Sequence, residues 1–176
     1  MCRMDLILLL GLRVIVSGNG RAREAFLSAG ADQYIVYTEE KYWECLAGVD
    51  YIIDTLGEKE FAHELSVLKE GGILLSLRTV PNKSYAKKNG FPLLKQMMFS
   101  LAGLKYDMMA RHQGKEYRFI FVRADGMQLE EITRMVETEK IVPQIDSRKF
   151  DLMQINDAVR LVHEGHTSGK VIVRFP

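Results

Sequence analysis

The sequence has little cysteine, and this excludes two kinds of small, cross-linked domain. Cys2 and Cys45 are the two cysteines among 176 residues. They are too few for a disulfide framework or for a zinc site built from four cysteines. Sparse cysteine is typical of a reducing compartment, and we expect the cytoplasm. A chain of this length is long enough to form one domain with a sizeable core.

An excess of charge of one sign is lacking as well. The chain has 24 Lys and Arg against 23 Asp and Glu, a net charge of +1. This balance favours neither nucleic acid nor an anionic membrane as a partner.

Long hydrophobic runs are also lacking. Residues 1–12 contain an apolar stretch, but Asp5 interrupts it, and it is far shorter than the ~20 residues that span a bilayer. No small-residue cleavage site of a signal peptide follows it. We therefore interpret this segment as a short buried helix that ends at Gly11.

Residues 13–32 form the most informative stretch of the chain. Residues 13–17 are a β-branched run that suits a buried parallel strand. Gly18-Asn19-Gly20 allows a sharp turn. Residues 21–29 then have apolar side chains at helical spacing, and Gly30 follows where a left-handed cap is expected. The pattern predicts a strand, a turn and a helix.

The turn after this strand is a candidate phosphate site. A strand that runs directly into a helix presents backbone N–H groups and the positive end of the helix dipole to an anion. Arg21 and Arg23 add positive charge. Arg23 occupies the place of the third glycine in a dinucleotide fingerprint, so the turn fits the end of a second Rossmann strand better, where arginine accommodates the 2′-phosphate of NADP. A solvated basic loop remains equally open.

The next part of the chain alternates strands with helices. Strands are predicted over 34–37, 49–55 and 73–77, with helices over 39–46 and 58–68. This alternation favours an α/β fold with a parallel sheet covered on both faces. Ligands of such sheets bind at the carboxyl ends of the strands. The ends expected to converge are Ser17-Gly18-Asn19, Tyr37-Thr38, Thr55-Leu56-Gly57 and Arg78-Thr79.

A basic, polar loop is predicted over 81–90, followed by a long helix over 91–112. The helix has a methionine-rich apolar stripe, which we interpret as core packing, with a pliable wall or a subunit interface as the alternative. Gly103 weakens the helix by about 1 kcal/mol relative to alanine.

The remaining pattern predicts a strand, two helices and a final strand. The strand over 117–123 is expected at a sheet edge, where a second copy could pair and form a homodimer. Helices are predicted over 129–138 and 153–164, an extended segment over 142–152 and a strand over 170–175.

Five segments resemble the medium-chain dehydrogenase/reductase superfamily, and within it the quinone oxidoreductase branch, also called zinc-type alcohol dehydrogenase-like. The resemblance covers nearly the whole chain from about Leu9. The segments are GAD (30–32), DYIIDTLG (50–57), LSVLKEGGILLSL (65–77), KIVPQIDSRKFDLMQINDAVRLV (140–162) and GHTSGKVIV (165–173).

The resemblance implies a Rossmann-like, doubly wound parallel sheet that is incomplete at its N-terminal end. It implies that the GroES-like catalytic domain, the first Rossmann strand and its glycine-rich turn are missing. Residues 1–139 are then an incomplete NAD(P)-binding Rossmann domain, and residues 140–176 are a strand-helix-strand segment that in the family returns to the catalytic domain.

The resemblance also implies two groups of cofactor-binding residues. Contacts to the 2′-phosphate and adenosine of NADP(H) fall on Ser17, Gly18, Asn19, Arg21, Arg23 and Tyr37. Contacts near the nicotinamide fall on Thr55, Leu56, Arg78, Thr79, Phe121 and Val122.

Some of these positions have an ordinary structural alternative. Phe121 and Val122 could be core residues, and Thr55 could be a helix N-cap. We nominate no catalytic residue and expect no zinc. His163 and His166 are expected to be solvated.

The function that follows is hydride transfer from NADPH to a quinone or carbonyl acceptor, impaired or absent in this short form. One alternative is a non-catalytic nucleotide-binding or oligomerisation module. Another is a methyltransferase that binds S-adenosylmethionine at the turn over 18–20. Arg21 and Arg23, and the lack of an acid after Ser17, count against the methyltransferase.

Overall fold

The computed structural model describes residues 11–165 and 167–175. The predicted helix before Gly11 and the predicted solvation of His166 lie outside the described residues. The chain divides into two compact units, one formed by the segments up to Val36 and from Asp125 onward, the other by Tyr37–Ala124. The proposed division at residue 139 stays a prediction.

The first unit begins with the predicted strand, turn and helix. Strand β1 (Ile15–Gly18) leads into a 3₁₀ turn (Gly20–Ala22), helix α1 (Arg23–Ser28) and strand β2 (Gln33–Val36). The two strands pair in parallel from Ile15 opposite Gln33 to Gly18 opposite Val36. Phe26 packs with Val14 and Ala31 beneath the helix. The helix is shorter than predicted, because its first turn is 3₁₀.

The C-terminal part of the first unit is mostly helical. It has helices α6 (Gly126–Thr138) and α7 (Ile155–Glu164), and the short strands β6 (Phe150–Asp151) and β7 (Val173–Arg174) pair in parallel. An isolated bridge joins Ile145 to Lys170. The predicted final strand is thus reduced to a bridge and a short strand.

The second unit contains a parallel sheet with helices packed on it. Its strands β3 (Val49–Asp54), β4 (Leu68–Ser76) and β5 (Glu116–Phe119) lie in the order β3-β4-β5. Its helices are α2 (Tyr42–Cys45), α3 (Phe61–Val67), α4 (Lys83–Lys88) and α5 (Leu93–His112). None of the helices in the described part of the chain is long and apolar enough to cross a membrane.

One aromatic cluster organises the core of the second unit. The Phe61 ring meets Tyr106 and Tyr117 edge to face, with ring centroids 4.8 and 5.2 Å apart. Leu65 and Leu74 complete the buried centre. The helices α3 and α5 are therefore held on the sheet by their aromatic faces.

The strand orders confirm the predicted α/β class. In the doubly wound Rossmann order 3-2-1-4-5-6, strands two and three pair, and strands four, five and six lie side by side. The pair β1-β2 and the trio β3-β4-β5 reproduce these two runs, and every strand pairing among the described residues is parallel.

The loop predicted over 81–90 is wrong, because α4 occupies most of it. Asn82 caps this helix by accepting a hydrogen bond from the Tyr85 N–H at 3.0 Å. The Asn82 amide also donates to Asp107 at 2.7 Å and to the Tyr117 carbonyl at 3.3 Å. Ala86 is the helix's one buried residue, so no apolar stripe marks it in the sequence.

The long helix α5 ends at His112 as predicted and begins at Leu93, two residues later than predicted, because Pro92 is its N-cap residue. The interpretation of its stripe as core packing is wrong. Leu94, Met98, Leu101 and Met108 are all at least 60% exposed. The buried face consists of Gly103, Tyr106 and Ala110.

Gly103 explains this choice of face. A β-carbon there would lie 2.6 Å from the Asn82 β-carbon. The glycine lets α5 approach the chain around Asn82, so its low helix propensity is offset by close packing.

The helices on either side of β3 are shorter than predicted. The helix predicted over 39–46 contracts to α2. The helix predicted from residue 58 begins at Phe61 with Glu60 as its N-cap residue. Thr55 is therefore not a helix cap.

Candidate functional site

The turn after β1 is fixed by a tyrosine from β2. The Asn19 side chain caps the 3₁₀ turn by accepting from the Ala22 N–H at 3.2 Å. The Tyr34 hydroxyl donates to the Asn19 carbonyl at 2.7 Å, and its ring packs on Phe26. A β-carbon on Gly18 would lie 2.2 Å from the Tyr34 hydroxyl oxygen. A larger residue at position 18 would therefore force the turn or the Tyr34 side chain to shift.

Sequence reasoning missed Tyr34, although a signal was present. Tyr34 is a buried aromatic residue directly opposite Val16 in the parallel register. A hydroxyl on a buried ring needs a hydrogen-bond partner, and the turn supplies one.

The two arginines of the turn have different surroundings. Arg21 lies in the 3₁₀ turn and lines a cavity of about 580 Å³ in the first unit. Arg23 is the first residue of α1, is exposed, and is not among the residues that line the cavity. Asn19 also lines the cavity, whereas Ser17 is exposed on β1.

The other wall of the cavity comes from the C-terminal segment, which sequence reasoning did not connect to the turn. Gln144, Ser168 and Lys170 line it. Behind this wall, the buried Asp146 carboxylate accepts from the Arg148 guanidinium at 2.8 Å and from the Ser168 N–H at 2.8 Å. The Arg148 guanidinium and these N–H groups hold the pKa of Asp146 well below its usual range.

In the second unit, Asp54 ties together the ends of β3 and β4. Its Oδ1 accepts from the N–H groups of Leu56 and Gly57 at 2.6 and 2.8 Å. Its Oδ2 accepts from the hydroxyls of Ser76 and Thr79 at 2.5 and 3.1 Å. Burial opposes ionisation, but these hydrogen bonds outweigh it and keep the pKa of Asp54 below its usual value.

This network brings together the predicted nicotinamide-side residues at the ends of β3 and β4, which are Thr55, Leu56, Arg78 and Thr79. Thr79 is buried, and its hydroxyl lies 2.6 Å from that of Ser76. Thr55, Leu56 and Arg78 are exposed around it.

The other predicted residues are on the surface. Phe121 and Val122 are 63% and 66% exposed after the end of β5, so the interpretation of them as core residues is wrong. Tyr37 directly follows β2, begins the second unit and is exposed. The predicted meeting of strand ends that belong to different units stays a prediction.

A buried acid next to Asp54 was also missed. Glu64 is 5% exposed, and its Oε2 has no hydrogen-bond partner among the described residues. Burial, together with the negative charge of Asp54, raises the pKa of Glu64 to about 8. Glu64 is therefore protonated at neutral pH.

The histidines and carboxylates do not form a metal centre among the described residues, where no three His, Cys, Asp or Glu side chains are grouped to hold an ion. The His63 ring stacks on Trp43 with centroids 3.8 Å apart, and His163 is exposed as predicted. The described residues thus do not fit a zinc ion.

Three comparisons with known proteins agree with this geometry. A family model described as zinc-binding dehydrogenase matches residues 29–173. The NAD(P)H oxidoreductase RTN4IP1, mitochondrial, of Danio rerio is 28% identical over 169 residues, covering 93% of this chain and 43% of that protein. Its Mus musculus counterpart is 30% identical over 159 residues, covering 86% and 39%.

Among solved structures, the quinone oxidoreductase from Coxiella burnetii superposes with a TM-score of 0.71 and 22% identity, covering 96% of this chain and 47% of that one. The chain therefore spans less than half the length of these relatives.

Proposed function

The chain belongs to the zinc-binding dehydrogenase family of the medium-chain dehydrogenase/reductase superfamily, and on this premise we propose that it is the NADP(H)-binding part of a quinone reductase-like oxidoreductase. In this proposal a hydride passes from NADPH to a quinone or carbonyl acceptor. The relatives' names and the quinone oxidoreductase fold support this direction.

The observation that carries the preference for NADP(H) is the character of the turn after β1. A carboxylate at this position would hold the ribose 2′-hydroxyl of NAD, whereas arginine accommodates a 2′-phosphate. The turn has Ser17 and Asn19 instead of an acid, and the Asn19 side chain is already engaged with the Ala22 N–H. Arg21 faces the cavity.

The proposed contacts on the adenosine side are Ser17, Gly18, Asn19, Arg21, Arg23 and Tyr37. At Gly18 a β-carbon would collide with the Tyr34 hydroxyl oxygen, so glycine keeps the backbone of this turn in place. Arg21 and Arg23 supply charge, which bidentate guanidinium groups direct well at phosphate oxygens.

The proposed contacts on the nicotinamide side are Thr55, Leu56, Arg78, Thr79, Phe121 and Val122. Asp54 positions the first four by fixing the ends of β3 and β4. The bound nicotinamide supplies the hydride, and the role of these residues is to orient it and exclude water. No side chain of the described residues is assigned as an acid or base.

Isothermal titration of the chain with NADPH and NADH tests the preference. We expect NADPH to bind at least about tenfold more tightly, since one hydrogen bond to a charged group contributes about 1.5–3 kcal/mol. Equal affinity for the two nucleotides would remove the role given to Arg21 and Arg23. Oxidation of NADPH with a quinone, followed at 340 nm, tests turnover separately.

A second candidate, a non-catalytic nucleotide-binding module that oligomerises, is favoured by the exposed stripe of α5. Leu94, Met98 and Leu101 form an apolar face, and β5 is the last strand of its sheet, where a second copy could pair. This candidate expects a dimer in sedimentation velocity and NADPH binding without quinone turnover. A monomer that turns over quinones would exclude it.

The proposal keeps the cytoplasm as the location, because two cysteines suit a reducing compartment. Both named relatives are called mitochondrial. Imaging of the tagged protein against a mitochondrial marker distinguishes these two places.

A further inference from the structure

Helix α5 has apolar residues on two opposite faces, and the second unit buries one of them. Gly103, Tyr106 and Ala110 form the buried face. Leu101 lies two residues before Gly103, which is about 200° around a helix of 3.6 residues per turn. The opposite face includes six residues that are 47–74% exposed, namely Leu94, Met97, Met98, Leu101, Leu104 and Met108. We call these six residues the α5 stripe, and they extend over about 21 Å.

The α5 stripe consists of leucine and methionine alone. An apolar surface of this kind marks an interaction with a protein, a ligand or a membrane. The residues that dominate binding between proteins are Trp, Tyr and Arg, and the stripe has none of them. The aromatic residue next to it, Phe99, packs on Tyr85 and Phe91 instead. The composition therefore favours a fluid apolar phase over a shaped protein pocket.

The chain around the stripe has an excess of lysine. Residues 83–105 contain five lysines and no aspartate or glutamate. All five are exposed, and none forms an ion pair with a carboxylate in the part of the chain that the structure describes. They are Lys83, Lys87, Lys88, Lys95 and Lys105. The net charge of +1 conceals this local excess, because acidic residues elsewhere in the chain balance it.

Two of these lysines lie on α5 itself. The Lys95 ammonium is 5.6 Å from the centre of the Phe91 ring, and the Lys105 ammonium is 5.6 Å from the centre of the Tyr106 ring. Asp107, the carboxylate that follows on the helix, accepts from the Asn82 amide at 2.7 Å. A lysine stem extends along apolar surface while its ammonium stays in water, so these lysines can reach a charged plane that the stripe enters.

The other three lysines lie on α4, which is held against the start of α5. The Phe91 N–H donates to the Ala86 carbonyl at 3.1 Å. The Tyr85 ring packs on the rings of Phe91 and Phe99, with centroids 6.1 and 6.0 Å apart. Helix α4 therefore holds its lysines near the N-terminal end of the stripe. Because the apolar and basic groups are presented together, the ordering cost of binding is reduced.

Two occupants of the stripe can be compared, a second copy of the chain and a lipid bilayer. A two-fold dimer sets the stripe of one copy on that of the other, so it brings the flanking lysines of both copies together. Like charges at such a contact repel each other. A bilayer with anionic headgroups instead attracts the lysines while its acyl region covers the leucine and methionine side chains. The charge pattern therefore favours the bilayer.

We propose that the α5 stripe and the lysines of residues 83–105 form a docking surface for a lipid bilayer with anionic headgroups. Helix α5 lies parallel to the bilayer plane, with the stripe at the boundary between headgroups and acyl chains and the ammonium groups at the lipid phosphates. This is peripheral attachment and needs no spanning helix. The inference goes beyond the proposed function, since it concerns this surface and not the nucleotide site.

Flotation of the whole chain with lipid vesicles tests the apolar part of this surface. The vesicles consist of phosphatidylcholine alone, or of phosphatidylcholine with about one third phosphatidylglycerol. The test variant is Leu94→Gln with Leu101→Gln, because glutamine keeps the helix propensity and removes the apolar side chains. The matched control is Met127→Gln with Leu129→Gln, which changes two exposed apolar residues of α6.

A second pair of variants tests the charge. Lys87→Gln with Lys88→Gln removes two lysines of α4. Its control, Lys140→Gln with Lys149→Gln, removes the same charge from exposed lysines of the first unit. Flotation of both variants at low and high salt measures the charge contribution, because salt screens attraction to the headgroups.

We expect the wild-type chain to bind the anionic vesicles at least about tenfold more strongly than the phosphatidylcholine vesicles. Leu94→Gln with Leu101→Gln should weaken binding to anionic vesicles by about tenfold, because less apolar area enters the bilayer. Lys87→Gln with Lys88→Gln should weaken it by about tenfold at low salt and by less at high salt. Both control variants should bind as the wild type does.

Three results would overturn the inference. The first is a wild-type chain that binds neither kind of vesicle or binds both equally. The second is an equal loss of binding in the test variants and their controls. The third is a dimer in sedimentation velocity that Leu94→Gln with Leu101→Gln dissociates, without vesicle binding, which would assign the stripe to a second copy.

Two further measurements keep these outcomes distinct. Isothermal titration with NADPH should give the same affinity for the wild type and all four variants, so a failure of vesicle binding leaves the proposed function intact. Circular dichroism melting checks that each variant folds. Where a variant does not fold, the wild-type comparison between the two kinds of vesicle and its salt dependence still decide the matter.

Discussion

The charged groups at the ends of the parallel strands differ between the two units. After β1, the turn has no carboxylate, and Tyr34 holds its backbone by a hydrogen bond. Arg21 lines a cavity there and has no ion-pair partner among the described residues. After β3, the buried Asp54 carboxylate accepts four hydrogen bonds from its own surroundings. The charge at the first strand end is unpaired among the described residues, whereas the charge at the second strand end holds the ends of β3 and β4 together.

This difference shows that a charged residue at a strand end is not by itself a ligand site. Charge that is satisfied inside the protein contributes to stability and rigidity, and charge left unsatisfied on a concave surface contributes to recognition. The variants below test this distinction, because stability and binding should respond separately.

The largest expected effect is that of Asp54→Ala. The change leaves two N–H groups and two hydroxyls without their acceptor, so we expect the free energy of unfolding to fall by about 3–4 kcal/mol. Urea unfolding followed by circular dichroism measures it. The control is Asp50→Ala, which removes an exposed carboxylate paired with Lys69 and should change stability by less than about 1 kcal/mol. A similar loss in both variants would contradict the comparison.

A smaller loss is expected from Gly18→Ala. The new β-carbon would meet the Tyr34 hydroxyl, and the turn would have to shift, which we expect to reduce the free energy of unfolding by about 2–3 kcal/mol. The double variant with Tyr34→Phe removes the colliding oxygen and should recover part of the loss. If the losses in unfolding free energy from Gly18→Ala and Tyr34→Phe simply add, the contact with the Tyr34 hydroxyl is not what excludes a larger residue at position 18.

The pH dependence of stability tests Glu64. Its folded-state pKa of about 8 lies above the ordinary value of 4.5, so the folded state binds the extra proton between these two values. Stability should therefore fall as pH rises through this window. Glu64→Gln cannot ionise, so at pH 6 we expect it to be more stable than the wild type by about 2 kcal/mol. Chemical unfolding from pH 5 to 9 checks this, and parallel curves for the two proteins would contradict it.

The smallest expected effect on stability is that of Arg21→Met. Its exposed side chain has no ion-pair partner among the described residues, so the free energy of unfolding should change by less than about 0.5 kcal/mol. Because the same variant should lose NADPH preference, thermal shift with and without NADPH separates the two effects. A large loss of intrinsic stability would place Arg21 in the same class as Asp54.

Local patterns predicted most elements and one wall of the candidate site. The β-branched run before Gly18 and the apolar run before Asp54 form strands, as expected from residues that fit a buried pleated surface. Helix α4 was not predicted, because its sequence has no apolar stripe. Its only helical features are an asparagine N-cap and one buried alanine. The apolar stripe of α5 led to a wrong prediction of core packing, because the close packing at Gly103 and the aromatic contacts of Tyr106 determine which face of the helix is buried.

The other wall of the site lay beyond sequence reasoning. Lys170 reaches the cavity through a bridge to the segment around Ile145, and Tyr34 reaches the turn through a parallel register. No sequence spacing predicts either contact, because each joins two segments that are distant in sequence and meet only in the folded chain.

By itself, the amino-acid sequence determined the alternation of strands and helices, the α/β class and the basic turn after β1. These follow from local conformational preference and from the repeat of apolar residues. Only the tertiary structure decided that Arg21 and Lys170 line the same cavity. It also decided that the Asp54 carboxylate is satisfied by hydrogen bonds within the protein. Burial and partnership depend on which distant segments pack together, and these decide whether a charge serves the fold or a ligand.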